Sequence, residues 1–256
     1  MLSLSKINVV ILCGGYGKRL QDVIKDIPKP MAKIKHRPFL DILIDFIASY
    51  GFRHFILCTG YKADIIERYY SQRYNNLIIE FSREEKPLGT GGAIKNAENY
   101  IKISPFLVAN GDSFCEINLK EFVDFHFRRD ALISIAVTNT DICDDYGTIN
   151  IDDSHRIIEF NEKIKGYKNR LINAGFYLLQ REAFSLMPEK INFSIERDFF
   201  PQIIKKNLYA FETQESLIDI GTPERYEKAK HLLGWWINKV LLYIYIWERE
   251  NFKIYL

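Results

Sequence analysis

Much of what would mark a secreted or nucleic-acid-binding protein is missing from this chain of 256 residues. It has 4 cysteines (Cys13, Cys58, Cys115 and Cys143), and none share a CxxC spacing. That excludes a zinc knuckle or a disulfide framework as the organising element. Charge of one sign is also missing: Lys+Arg 35 against Asp+Glu 33 leaves a formal net charge of +2. No broad field exists to attract nucleic acid or an anionic membrane, so any anion site must be local. No secretory leader is recognisable, and the thiols are expected to be reduced, as in a cytoplasmic protein. The five histidines (His36, His54, His126, His155, His231) show no paired ligand spacing. No internal repeat or low-complexity linker interrupts the chain. The longest apolar stretch, Leu232–Trp247, LLGWWINKVLLYIYIW, contains Asn238 and Lys239 and falls short of the ~20 residues of a bilayer span.

What is present is a regular alternation. Asn8–Leu12 is a continuous apolar run, as expected of a central strand covered on both faces. Pro38–Tyr50 places Phe39, Leu40, Leu43, Phe46, Ile47 and Tyr50 at helical spacing. Strand-like His54–Cys58, helical Ala63–Tyr70, strand-like Leu77–Phe81, helical Gly91–Tyr100 and strand-like Phe106–Ala109 follow. Repeated βα units predict an α/β fold, a doubly wound, mostly parallel mixed sheet. Beyond Leu132 the pattern changes to short strands, at Ile133–Thr138, Gly147–Ile151, Arg156–Phe160, Ile172–Leu179 and Tyr209–Glu212. These are either added to the sheet or form a small lid over it. Thr222 as N-cap and Pro223 at the first helical position open a closing helix, Thr222–Leu233. The expected organisation is one domain over 1–230, with a nucleotide-binding half at 1–130 and a sugar-binding half at 131–230. The apolar, aromatic tail 231–256 reads as a helix packing on the domain or on a second copy of the chain. A membrane-surface helix and a poorly ordered extension are the other readings.

Two segments carry charge into this frame. The first strand runs into Gly14-Gly15-Tyr16-Gly17-Lys18-Arg19. Glycines after a central strand let successive backbone N–H groups form an anion nest at the carboxyl edge of the sheet. The dinucleotide fingerprint fails because Leu20 stands where its third glycine belongs, and Walker A fails because Arg19 follows Lys18. A plain structural turn therefore stays open. Farther on, Pro28-Lys29-Pro30-Met31 sets a lysine between two fixed φ angles, with Pro30 pushing Lys29 toward an extended backbone.

GGxGxRL followed by PKPM resembles the signature of the sugar-1-phosphate nucleotidyltransferases. Leu12-Cys13-Gly14-Gly15 is especially similar to the D-glycero-D-manno-heptose 1-phosphate guanylyltransferases. Tyr16 and Lys18 depart from the residues usual at those positions. The resemblance extends over roughly 7 to 230. It implies a nucleotidyltransferase, Rossmann-like fold with a small added strand region. It assigns Arg19 and Lys29 to catalysis, and Leu12, Gly14, Gly15, Gly17 and Lys18 to the nucleotide. Glu85, Leu88, Gly89, Thr90 and Gly91 would form the base loop, with glycines that let main chain lie against a flat base. Asn110 and Gly111 would face the sugar phosphate, with Tyr146 and Gly147, Glu159 and Lys163, and Asn173 and Gly175. Asp112 and Asp219 would hold Mg²⁺.

The activity implied is transfer of a nucleotidyl group from an NTP to a sugar 1-phosphate, releasing pyrophosphate. GTP and D-glycero-D-manno-heptose 1-phosphate are favoured, in nucleotide-sugar synthesis for capsule or surface-layer polysaccharide. CTP or UTP and a hexose 1-phosphate remain the alternative, since base choice depends on loop geometry around 82–91. A catalytically silent sugar-nucleotide-binding paralogue would be free to lose Lys29, Asp112 or Asp219, and all three are present. A glycosyltransferase would carry a DxD-like motif, and Asn110-Gly111-Asp112 lacks its first Asp. No nucleic-acid partner and no membrane span are expected. Self-association would use the tail.

Overall fold

The computed structural model describes residues 3–140, 146–162 and 170–234. The expectations for Lys163, Cys143 and the tail beyond 234 lie outside the described residues. The elements follow in chain order. β1 (Asn8–Leu12) leads to a two-stranded hairpin, β2 (Lys33–Ile34) and β3 (Arg37–Pro38). Next come α1 (Phe39–Ser49), β4 (His54–Thr59), α2 (Ala63–Tyr70), β5 (Ile78–Arg83) and α3 (Gly89–Asn96). β6 (Phe106–Asn110), β7 (Ser113–Phe114) and α4 (Leu119–Arg128) follow. The remainder is β8 (Ile133–Thr140), β9 (Gly147–Ile151), β10 (Ile157–Glu162), β11 (Arg170–Leu179), β12 (Leu208–Thr213), β13 (Ile218–Asp219) and a helix over 223–234, α5.

β5, β4, β1 and β6 form a parallel block with β1 between β4 and β6. The chain moves to β4 on one side of β1 and later returns to β6 on the other. The carboxyl end of β1 is therefore the switch point where ligands bind in open α/β sheets. β11 pairs antiparallel with β6, and β8, β9, β10 and β12 extend from it. The later strands thus join the main sheet instead of forming a separate lid, because the ten-residue β11 is long enough to pair with β6, β8 and β9.

The apolar alternation explains the layers. Val9 and Ile11 belong to one buried cluster with Phe39, Leu43, Phe122 and Leu233, whereas Val10 belongs to another with Ile94, Phe184, Ile195 and Phe199. Leu107 and Ala109 of β6 face the first cluster, Phe106 and Val108 the second. A strand covered on both faces reads as an unbroken apolar run, as these do. α4 was not signalled by the alternation. Asn118 caps it, its Oδ1 accepting from Glu121 N at 3.2 Å. The expected helix Gly91–Tyr100 starts two residues earlier and ends at Asn96, giving way to a 3₁₀ turn over Glu98–Tyr100. Among the described residues, no helix is long and apolar enough to cross a membrane.

Candidate active site

The glycine-rich turn has two constrained positions. Gly17 has φ +58, and a Cβ there would stand 2.9 Å from Lys29 Cβ. A side chain would cost both a left-handed backbone and the seat of the lysine stem. A Cβ on Gly14 would stand 2.7 Å from Glu84 Oε1. Around Gly15 nothing lies within 4 Å of that position, which leaves its backbone open to a ligand. A 3₁₀ turn over Lys18–Leu20 then buries Leu20 and leaves Lys18 and Arg19 exposed.

Lys29 departs from expectation in backbone. It opens a 3₁₀ turn, Lys29–Met31, closed by Met31 N donating to Pro28 O at 2.8 Å. That hydrogen bond outweighs the extended preference of a residue before proline. The result is still a stiff platform. The side chain is 11% exposed, and Nζ donates to Asp112 Oδ2 at 2.5 Å.

The two aspartates meet through backbone pairing. β6 ends at Asn110, Gly111 N donates to Leu12 O at 2.9 Å, and Asp112 leads into β7. β13 pairs antiparallel with β7, placing Asp219 opposite Ser113, and Ile220 N donates to Asp112 O at 3.1 Å. Asp219 accepts Gly221 N at 2.7 Å on Oδ1 and the Tyr146 hydroxyl at 2.5 Å on Oδ2. Burial works to raise the Asp112 carboxyl, but the Lys29 ammonium outweighs it, helped by Arg19, and the group sits below its ordinary value. Among the described residues no group of three His, Cys, Asp or Glu side chains is placed to hold a metal ion by itself. Two carboxylates on paired strands suit a hard cation that takes its other ligands from phosphate and water.

These groups ring a cavity of two joined chambers, about 450 Å³ and 420 Å³. Arg19, Lys29, Gly89, Thr90, Asn110, Asp112 and Gly221 line both. The first chamber adds Leu12, Gly14, Gly15, Gly17 and Lys18, with Tyr16, Glu84 and Pro87. The second adds Asp219, Tyr146, Gly147, Asn173 and Gly175. β11 bulges between Asn173 and Tyr177 where it pairs with β8, and Gly175 has φ +79 within the bulge. A bulge re-aims side chains, and Gly175 N donates to Asn173 Oδ1 at 2.9 Å. Among the described residues Asn110 Oδ1 and Ser113 Oγ are buried without a hydrogen-bond partner, and both residues line the second chamber.

Some expected residues sit elsewhere. Glu85, Leu88, Gly91 and Gly111 line neither chamber. A Cβ on Gly111 would stand 2.7 Å from Leu12 O, so this glycine serves the approach of β6 to β1. Glu159 lies on β10, where it accepts from Asn150 Nδ2, outside both chambers. Gly91 packs under the Phe193 ring. Other lining residues went unnoticed: Glu84, Ser194, Glu196, Arg197 and Arg225. Glu84 neighbours the expected Glu85, and Arg225 follows Asp219-Ile220-Gly221-Thr222-Pro223 by two residues. Ser194, Glu196 and Arg197 carried no sequence signal. Burial holds the Glu84 carboxyl above its usual range, against the Leu88 N–H that donates to its Oε2 at 3.1 Å. The thiols of Cys13 and Cys58 are pushed up by burial in the first chamber's wall, which makes them unreactive.

Known proteins resemble this chain in sequence and in fold. The chain is 37% identical over 217 residues to D-glycero-alpha-D-manno-heptose 1-phosphate guanylyltransferase of Campylobacter jejuni subsp. jejuni, covering 85% of this chain and 96% of that protein. It is 37% identical over 230 residues to the protein of that name from Aneurinibacillus thermoaerophilus, covering 89% and 99%. The crystal structure of HddC from Yersinia pseudotuberculosis superposes with TM-score 0.78 at 40% identity, over 88% of this chain and 98% of that one. HddC is also known complexed with GMP-PN. With residues 8–234 matching the nucleotidyl transferase family from β1 to the end of α5, the chain belongs to that family.

Proposed function

We propose that the protein transfers GMP from GTP to D-glycero-α-D-manno-heptose 1-phosphate, giving a GDP-sugar and pyrophosphate. The observation that carries this reading is the two-chambered cavity, with Arg19, Lys29 and Asp112 at the junction. The relatives named above support the choice of nucleotide and sugar.

The chemistry sets a simple demand. A phosphate monoester has its second pKa near ~6, so the attacking oxygen is largely ionised at neutral pH and needs no strong base. The obstacle is repulsion between two polyanions. Two unit charges ~4 Å apart cost on the order of 4 kcal/mol at an effective dielectric near 20. Positioning and charge neutralisation therefore dominate, as in other phosphoryl-type transfers. Backbone N–H groups of Gly14, Gly15 and Gly17, with Lys18 and Arg19, hold the β and γ phosphates. Lys29 neutralises charge growing on the α phosphate during in-line attack. The sugar phosphate approaches from the second chamber. Asp112 and Asp219 would hold Mg²⁺, which supplies concentrated positive charge beside the phosphates when bound.

Glu84 supports guanine. Guanine offers two adjacent donors, N1–H and N2–H, on one edge, and a carboxylate is an acceptor with two oxygens. Uracil and thymine offer one donor flanked by carbonyls that a carboxylate repels. Cytosine and adenine pair a donor with an acceptor on that edge. A site built around a hydrogen-bonded edge rejects bases that lack it. For a silent paralogue, keeping Lys29, Asp112 and Asp219 within one cavity would have no purpose.

The test is pyrophosphate release with Mg²⁺ over a grid of four NTPs and several sugar 1-phosphates, including the heptose and mannose compounds. GTP with heptose 1-phosphate should give the highest kcat/KM. A preference for UTP or CTP would overturn the base assignment, and release with no pair would overturn the activity.

A further inference from the structure

Of the glycines in the Leu88–Ala93 segment, Gly89 lines the cavity, whereas Gly91 and Gly92 line neither chamber. A Cβ on Gly91 would stand 2.2 Å from Cε2 and 2.4 Å from Cδ2 of the Phe193 ring. One on Gly92 would stand 2.4 Å from Ile191 O. Gly89 has φ +74, and a Cβ there would stand 2.5 Å from Phe193 O. What fills this space is the segment 188–197.

Its attachments to α3 are dense. Phe193 O accepts Gly91 N at 3.0 Å and Gly92 N at 3.2 Å. The first turn of α3 thus spends two of its free N–H groups, those of Gly91 and Gly92, on this segment. Phe193 N donates back to Leu88 O at 2.9 Å, and Ile195 N to Thr90 Oγ1 at 2.9 Å. Asn192 Nδ2 donates to Pro87 O, and Lys95 Nζ to Pro188 O at 2.8 Å. Phe193 is 1% exposed. The far end of the segment delivers Ser194, Glu196 and Arg197 to the second chamber. Glu196 accepts Thr90 Oγ1 at 2.6 Å, Ser194 Oγ at 2.7 Å and the Tyr177 hydroxyl at 3.3 Å. That hydroxyl accepts Asn173 Nδ2 at 2.7 Å.

We infer that Gly91 and Gly92, which lie within the base-loop motif, are positioning residues for the sugar phosphate. Lacking side chains, they admit segment 188–197 in the one register that brings Ser194, Glu196 and Arg197 to the second chamber. The inference rests on the nucleotidyl-transfer reading above. The overlapping atoms are a buried ring and a backbone carbonyl, neither of which is a flexible side-chain end that could swing aside. A side chain at either glycine therefore moves the segment, and the sugar-facing groups move with it, while Gly14, Gly15, Gly17 and Arg19 keep their places on β1 and its turn.

The test is steady-state kinetics on Gly91→Ala, with GTP and whichever sugar 1-phosphate the wild type turns over. The sugar-phosphate KM should rise about tenfold or more, since small displacements of positioning groups are costly, with the GTP KM moving less than about threefold. Adding Phe193→Leu removes the ring atoms that the new Cβ meets and should return the sugar KM toward wild type. Gly92→Ala, which meets backbone, should not respond to that change. Asn192 is exposed, so Asn192→Ala carries the same KM split, in smaller size, if Gly91→Ala does not fold. Titration calorimetry with GTP and with mannose 1-phosphate reads the split without turnover. Absent turnover with an intact binding split would overturn the proposed activity alone. A GTP KM that rises as much as the sugar KM, or a sugar KM unmoved in both variants, would overturn the inference.

Discussion

At Lys29 three constraints meet: a 3₁₀ turn fixes its backbone, Gly17 seats its stem, and Asp112 holds its ammonium. Burial works to raise the Asp112 carboxyl, and it is low chiefly because Lys29 outweighs that effect. Lys29→Met should therefore move Asp112 upward, read as a shift of its carboxyl resonance in a pH titration by carbon NMR; an unmoved resonance would show that other charges hold it. Glu84 makes a separate prediction. Glu84→Gln keeps the shape and replaces one acceptor by a donor, so GTP kcat/KM should fall about tenfold or more relative to UTP. An unchanged GTP-to-UTP ratio would remove Glu84 from base reading.

Among the elements, the turn between β1 and the hairpin has little room for change at Gly17, where a Cβ would stand 2.9 Å from Lys29 Cβ. Gly17→Ala forces a non-glycine residue into left-handed backbone at about 1–2 kcal/mol and pushes on Lys29. Turnover should fall sharply while Tm drops by only a few degrees and the fold is kept, measured by kcat beside circular dichroism. α4 makes a pH prediction. His126 is fully buried; its Nδ1 lies 2.9 Å from Ser134 Oγ, and Gln180 Nε2 lies 3.1 Å from its Nε2. Burial pushes its pKa down from 6.5 to about 4. The unfolded chain thus binds a proton that the fold refuses. The stabilisation is whole above about pH 6.5 and is lost as pH falls toward 4, at most about 3 kcal/mol. Urea unfolding of His126→Gln should show a flatter loss of stability between those pH values than wild type; parallel curves would contradict the assignment.

What could be read beforehand was periodic. Asn8–Leu12, Ala63–Tyr70 and Gly147–Ile151 have the bounds their patterns predict, because a covered strand and an amphipathic helix each write a period into the chain. The glycine turn, Lys29, Asp112 and Asp219 were legible because they are short motifs at element ends. α4 was missed in a stretch dense with charge, and the packing of Gly91 against Phe193 was hidden because the two lie far apart in sequence. Glu196 reaches the site through that same long-range packing and leaves no local trace.

At the scale of the molecule, the doubly wound sheet gathers on one edge the groups proposed to handle phosphate. β1, β6 and β13 each end in a piece of the site, and the hairpin's preceding turn adds Lys29. Since ligand binds this native arrangement and not the unfolded chain, GTP with Mg²⁺ at about a hundred times its Kd should raise Tm by about 5 °C or more. The same excess of UTP should shift it less.

The claim beneath all of this is that positive charge focused on the α phosphate lowers the barrier more than it strengthens nucleotide binding. Lys29→Ala, measured for kcat and, by calorimetry, for GTP Kd, tests it most directly. Neutralisation that grows in the transition state predicts a kcat about a hundredfold or more below wild type, with Kd within about tenfold. A Lys29→Ala enzyme that turns over at the wild-type rate would contradict it.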